Sequence, residues 1–268
     1  MASASTTVRT GHAAPGAARG TPTVKRIGFD ALGTALRLGW QDFLAVPTQL
    51  IFLGLIYPLV GVFAWVAIVG GDLAGLFYPL VAGLSLLGPV LALGMYEISK
   101  RREEGRPAHM MCAFRAFRSP AIGRIFGLGV VLLGIFVAWI FAARLIMEAT
   151  IGSAGGESVT GFVARVFETG EGWRLLLLGN LVGAGFAALV LALTVVSFPI
   201  LLDRNTSLGA AVGTSVRAVV QNPVPMAAWG LIVAALLVLG SIPAFIGLAV
   251  VMPLLGHATW HLYRQVVE

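Results

Sequence analysis

The chain has 268 residues, 58% of them hydrophobic and only 11% charged, with a mean hydropathy of +0.91. Soluble domains carry about a quarter charged residues, so this balance excludes an ordinary water-soluble globular protein. The net charge of +6 would suggest nucleic acid in a soluble chain, but topology explains it better, and the single cysteine, Cys112, excludes an intrachain disulfide, a CxxC redox pair and a thiolate cluster.

Residues 1–24 are rich in Ala, Gly, Thr, Ser and Pro, contain no acid and offer no signal-peptide core, and they read as a disordered tail. Five uncharged runs follow: Phe43 to Gly71, Leu73 to Tyr96, Ile125 to Ala143, Leu175 to Leu202 and Ala218 to Tyr263. A bilayer crossing needs about 20 apolar residues. The last run holds two such segments, divided at Gly240-Ser241-Ile242-Pro243, where Gly and Pro favour a turn. The predicted architecture is an all-α, polytopic membrane protein with six transmembrane helices at about residues 48–69, 75–97, 124–146, 174–201, 224–240 and 243–263. With the N-terminus inside, all but three of the 18 Lys and Arg residues fall on cytoplasmic segments, the exceptions being Arg144, Arg165 and Arg174. Positive residues beside spans are retained on the cytoplasmic side, so both termini are predicted to be cytoplasmic. On the opposite side, Phe162, Val163, Val166 and Phe167 recur at helical spacing and predict a short surface helix facing a partner.

A threefold pattern runs through the chain. Ahead of the first span, Phe29, Leu32, Leu36, Trp40 and Phe43 share one helical face, with Asp30, Thr34, Arg37 and Gln41 opposite and Pro47 following. Ahead of the third, Met110, Phe114 and Phe117 lie opposite Arg115 and Arg118, and Pro120 follows. Ahead of the fifth, Leu208, Val212, Val216 and Val219 oppose Ser215 and Arg217, and Asn222-Pro223 follows. The pattern reads as three units, at about 27–104, 105–204 and 205–268, each an interfacial helix plus a two-span hairpin. The competing reading is that loops of any hairpin protein contain Arg and Pro. On the repeat reading, Arg37, Arg115, Arg118 and Arg217 are candidate lipid-headgroup contacts; otherwise these helices are connectors packed on the bundle.

Certain stretches carry a resemblance: Lys25 to Asp30 and Gly39-Trp40-Gln41-Asp42-Phe43, then Leu87-Gly88-Pro89 and Tyr96-Glu97, Leu201-Leu202-Asp203-Arg204, and Leu254 to Arg264 with its His257-Ala258-Thr259-Trp260-His261 centre. Over residues 25–268 the chain resembles the bacterial integral membrane proteins of domain of unknown function 2189. The resemblance implies a bacterial inner-membrane protein with no established activity. Some members carry a provisional label of cytochrome c oxidase subunit I. The residues of this chain exclude an oxidase core: it has four His, and His257 and His261, at i and i+4, lie on one helix face and cannot ligate opposite sides of one haem.

The candidate functional residues form one polar cluster, Glu97, His257, His261 and Arg264. His257 and His261 are spaced to share a metal, with Glu97 the nearest plausible third ligand; the blander expectation is that His257 bonds a neighbouring helix while Trp260, His261, Tyr263 and Arg264 anchor at the headgroups. No metal or other cofactor is assigned. Glu97 is expected to pair with Lys100 or Arg101, and Arg144 with Glu148. Prolines within spans, Pro58, Pro79, Pro89, Pro199 and Pro253, suit a permease with broken helices, but the only polar residues near mid-span are Ser85, Asn180, Thr194 and Ser197, and the glycines Gly179, Gly183 and Gly185 read as packing faces. The leading expectation is a non-catalytic accessory or assembly protein whose partners are the bilayer and other membrane subunits, not nucleic acid. A small-molecule or lipid permease is the second reading, and a metal or redox protein a distant third.

Overall fold

The computed structural model describes residues 22–46, 61, 92–152, 159–243 and 246–268. The N-terminal tail up to residue 21, the first predicted span apart from residue 61, and the second as far as residue 91 lie outside the described residues, as do Pro58, Pro79, Ser85 and Pro89. Within them, α1 spans Phe29–Ala45, α2 residues 92–103, and a 3-10 helix Met110–Arg118. The chain continues through α3 Ile122–Thr150, α4 Val159–Glu168, α5 Gly170–Thr194 and α6 Ser197–Asp203. It ends in α7 Leu208–Gln221, α8 Pro223–Ser241 and α9 Leu248–Val266.

Three helical stretches among the described residues are long and apolar enough to cross a bilayer: Ile122–Thr150, Gly170–Asp203 and Pro223–Ser241. At 1.5 Å per residue α3 is about 44 Å long, more than the roughly 30 Å of a hydrocarbon core. Its Phe126 and Leu145, with Leu177 and Leu181 of α5 and Leu231 of α8, are each at least 65% exposed. Contiguous apolar surface of this kind needs lipid around it. The predicted span at 174–201 is interrupted: α5 stops at Thr194 and α6 restarts at Ser197. Pro199 explains the break, because it has no N–H for the Val195 carbonyl and its ring crowds that carbonyl.

The core sits at one end of these spans. It joins Leu32 and Ala35 of α1, Leu93 and Tyr96 of α2, the first turns of α3 and α8 at Ile125, Leu128, Met226 and Trp229, and Ala258 to Val266 of α9. Beyond these turns the spans carry mostly exposed or half-exposed side chains. The last two helices form a hairpin. Asn222, ahead of α8, accepts from Ile27 N at 2.8 Å and donates to Lys25 O at 2.9 Å, while Lys25 N donates to Val266 O at the end of α9 at 2.8 Å. The far ends meet at Gly240 and Gly247, where a Cβ on Gly247 would lie 2.7 Å from Gly240 O. In the α3–α5 pair, Trp139 and Phe186 pack at 5.5 Å and Gly183 lies under the Trp139 ring. Among the described residues Gly183 is the one of the three glycines that meets a neighbouring side chain, while a Cβ on Gly179 or Gly185 would meet none of them within 4 Å.

The three lead-in segments are helical, with two corrections. The segment at Met110–Arg118 is a 3-10 helix. The faces are also partly rotated: Leu32 and Phe43 are buried and Leu36, Leu208, Val212 and Val219 pack against the core as expected, but Ala31, Ala35 and Gly39 of α1, Ala113 and Ala116 of the 3-10 helix, and Ala211, Thr214, Ser215 and Ala218 of α7 are buried too, whereas Phe29, Trp40, Phe114 and Phe117 are 41–61% exposed. Small side chains let these segments approach the bundle closely, and that outweighs burial of the larger rings. The surface helix expected opposite is α4, with Val166 buried and Phe167 exposed.

A Cβ on Gly39 would stand 2.6 Å from Ala258 N, whereas at Gly33 it would meet nothing within 4 Å among the described residues. Gly39→Val is therefore expected to lower stability by about 1–3 kcal/mol or more through overpacking. Gly33→Ala in the same helix should raise it by roughly 0.5–1 kcal/mol. Thermal melting of the two variants in detergent checks the contrast.

Candidate functional site

The approach of Gly39 to Ala258 sets α1 directly on α9 and carries Asp42 into the head with 5% of its surface exposed. Asp42 Oδ2 lies 2.8 Å from His261 Nε2 of α9, and Oδ1 accepts from Arg102 Nε of α2 at 2.6 Å. An ionised carboxylate can only accept, so His261 Nε2 carries the proton in this pair. One turn earlier on α9, His257 Nδ1 is hydrogen-bonded to Ser99 Oγ of α2 at 2.7 Å, with both residues fully buried. Burial opposes ionisation of Asp42, yet the hydrogen bonds from His261, Ser99 and Arg102 and the charge of His261 outweigh it and hold the carboxyl below its usual range.

Two further acids repeat the arrangement. Glu103 of α2 accepts from the Trp260 indole N–H at 3.0 Å and from Arg264 Nε at 2.9 Å. Asp203 of α6 pairs with Lys100 at 2.8 Å and accepts the Tyr263 hydroxyl at 2.7 Å, and that hydroxyl in turn accepts from Arg204 Nε at 3.0 Å. Each carboxylate thus ties together side chains from different helices.

The expected cluster is only partly one unit. His257, His261 and Arg264 all face α1, α2 and α6, but Glu97 turns to Arg101 of its own helix at 2.8 Å and not to the histidines; the carboxylate beside His261 is Asp42. Among the described residues no group of three or more His, Cys, Asp or Glu side chains is placed to hold a metal. Trp260 and Tyr263 are buried at 1% and 0% exposure, so they do not anchor in headgroups as expected. Arg144 pairs with Glu148 at 2.7 Å, and Arg37, Arg115, Arg118 and Arg217 are all exposed. Asn180 and Thr194 donate to the carbonyls of Leu176 and Val190 in their own helix, and Ser197 of α6 donates back across the break to Leu193 O of α5. The approximately 200 Å³ cavity between α2, α8 and α9 is lined mainly by apolar groups such as Met95, Leu237 and Met252.

Ser99, His257 and Asp42 supply the residue types of a hydrolytic triad without its geometry. Asp42 orients His261, not the histidine beside the serine, and neither Ser99 nor His257 is reachable. Sequence reasoning singled out neither Ser99 nor Glu103. The signal was present, because the polar stripe His257, Trp260, His261 and Arg264 requires a complementary stripe, which Ser99, Arg102 and Glu103 provide.

Residues 77–203 match the family model of domain of unknown function 2189, described as a predicted integral membrane protein. The chain is an integral membrane protein. The matched residues contain α2 to α6, with Ser99, Glu103 and Asp203, while Asp42 and the terminal His257 to Arg264 stretch lie outside them. No curated protein and no solved structure matches the chain.

Asp42→Asn leaves Arg102 and His261 without their anion and is expected to cost on the order of 3 kcal/mol. Because the folded carboxyl titrates below its unfolded value of 3.8, its contribution is present in full above that value and is lost as pH falls through the folded pKa. Melting temperature followed from pH 7 to pH 3 should drop more steeply at the acid end in the native protein than in Asp42→Asn.

Proposed function

We propose that this membrane protein is a non-catalytic accessory or assembly subunit of a larger complex in a bacterial inner membrane, a respiratory oxidase being the kind that the resemblance implies. The observation that carries this reading is the engagement of Asp42, Ser99, Glu103, Asp203, His257 and His261 by partners on neighbouring helices. Such groups fasten the head together and leave the surface of the protein for contacts.

Six crossings with both termini cytoplasmic is the topology that best fits this reading. The antiparallel bridge between Val24 and Val267 favours an even number of crossings. The common position of the start of α8 and the end of α9, both beside Lys25, supports α9 as a return crossing. It is less apolar than the other spans because its polar stripe is covered by α1 and α2.

Purified in mild detergent through an N-terminal tag, the native protein is expected to retain a defined partner at fixed stoichiometry across gel filtration and mass spectrometry. Migration as the chain alone, with chemical cross-linking in the membrane also yielding no partner, overturns the accessory role. For topology, Arg106→Cys and Glu168→Cys are each placed in a Cys112→Ala background. A membrane-impermeant maleimide should label Glu168→Cys in cells with a permeabilised outer membrane and should reach Arg106→Cys only after lysis; the reverse pattern inverts the protein.

A further inference from the structure

The α1, 3-10 and α7 segments share a plan that the polar clasps do not use. Each turns alanines inward and presents arginine outward. Among the described residues Arg37, Arg115 and Arg118 have no ion-pair or hydrogen-bond partner, and Arg217 bonds Thr214, three residues back in its own helix, at 2.9 Å. Large apolar groups flank them: Trp40 is 43% exposed, Phe114 53% and Phe117 41%. An aromatic ring left in water beside an unneutralised guanidinium is a poor surface for an aqueous face and a good one for a membrane boundary, where rings sit at headgroup depth.

Continuity with the spans places the arginines at that depth. Arg118 stands one turn ahead of Ile122, where the exposed apolar surface of α3 begins and runs on through Phe126. Arg217 stands likewise ahead of Val220 and Val224, which are 70% and 62% exposed and lead into the open face of α8. Where the hydrocarbon-facing surface starts, the neighbouring polar layer is phosphate. The guanidinium is planar and binds phosphate oxygens in pairs.

We propose that Arg37, Arg115, Arg118 and Arg217 form a collar that selects anionic phospholipids of the surrounding membrane, phosphate on guanidinium, with the adjoining rings seated among the upper acyl chains. The collar rests on membrane embedding and not on the accessory role, so the two stand or fall separately.

The test is native mass spectrometry of the full chain released from mixed micelles containing equal phosphatidylglycerol and phosphatidylcholine. An attraction of about 1 kcal/mol per arginine corresponds to about a five-fold preference at each site, so the native protein should retain at least about five-fold more phosphatidylglycerol. The variant with all four arginines changed to Gln should lose most of that preference, and raising salt in the exchange step should weaken it in the native protein. Arg174→Gln, on the opposite side, should leave it unchanged. Equal retention of the two lipids by the native protein overturns the collar, as does an unaltered preference in the four-fold variant or an equal loss in Arg174→Gln. If the four-fold variant does not fold, Arg115→Gln with Arg118→Gln alone must lower the preference at least about two-fold, by the same electrostatic reasoning; no change overturns the proposal.

Discussion

A carboxylate can be buried only if its charge is matched, and Asp42 is matched by two other helices at once. Its ion pairs with Arg102 and His261 tie α1 to α2 and to α9, so the first described helix and the last become one wall of the same head. Breaking such a pair costs more than forming it gains, because the partner is left charged and unsolvated. The constraint therefore acts as a selector of arrangement: the helices pack in the one register that brings Asp42, Arg102 and His261 together. Gly39 makes that register reachable, since any Cβ there would strike the Ala258 backbone.

From this junction the molecule divides by solvent. At one end, α1, α2, α6, α7 and the end of α9 enclose a core with Trp229, Trp260 and Tyr263 almost wholly buried. At the other end, α3, α5 and α8 run on with leucine, valine and phenylalanine facing outward. The driving force for burial exists only against water, so helix contacts in lipid rest on close packing of small groups, as where Gly183 meets Trp139. The side-chain polarity follows the same division. Thr194 and Ser197, at the end of α5 and the start of α6, bond carbonyls four residues back along the same continuous stretch, whereas Ser99, Glu103 and Asp203 in the head reach across to elements distant in the chain.

The site was partly legible before any coordinates. The terminal stretch from His257 to Arg264 reads as a polar stripe at helical spacing, and it does form one face. Asp42 and Asp203 fall in other stretches that carried the resemblance, and they converge on that face. Glu97 pairs with Arg101 as its i,i+4 spacing predicts, and that local partner keeps it away from the histidines with which it was grouped. The lead-in helices were recognised by period, yet their faces were assigned by the size of the apolar side chains. In this protein that rule holds only in part: Leu32 and Phe43 are buried, but Trp40, Phe114 and Phe117 stay outside, since large apolar groups gain as much from lipid as from a core and small ones gain most from close approach.

What the amino-acid sequence determined alone is the medium and the kind of element. Long uncharged runs cannot be solvated by water, and a backbone in hydrocarbon must bond to itself, so apolar helices follow from composition. Period located the lead-in helices, while the break before Ser197, inside a span read as continuous, is a finding of the structure that Pro199 explains. Only the tertiary structure decided which acid meets which base, which face of each lead-in helix turns inward, and that residues 23–25 and 266–268 lie side by side. Those outcomes depend on distances between residues far apart in the chain, such as Asp42 and His261, 219 positions apart, and period and composition carry no information about such distances.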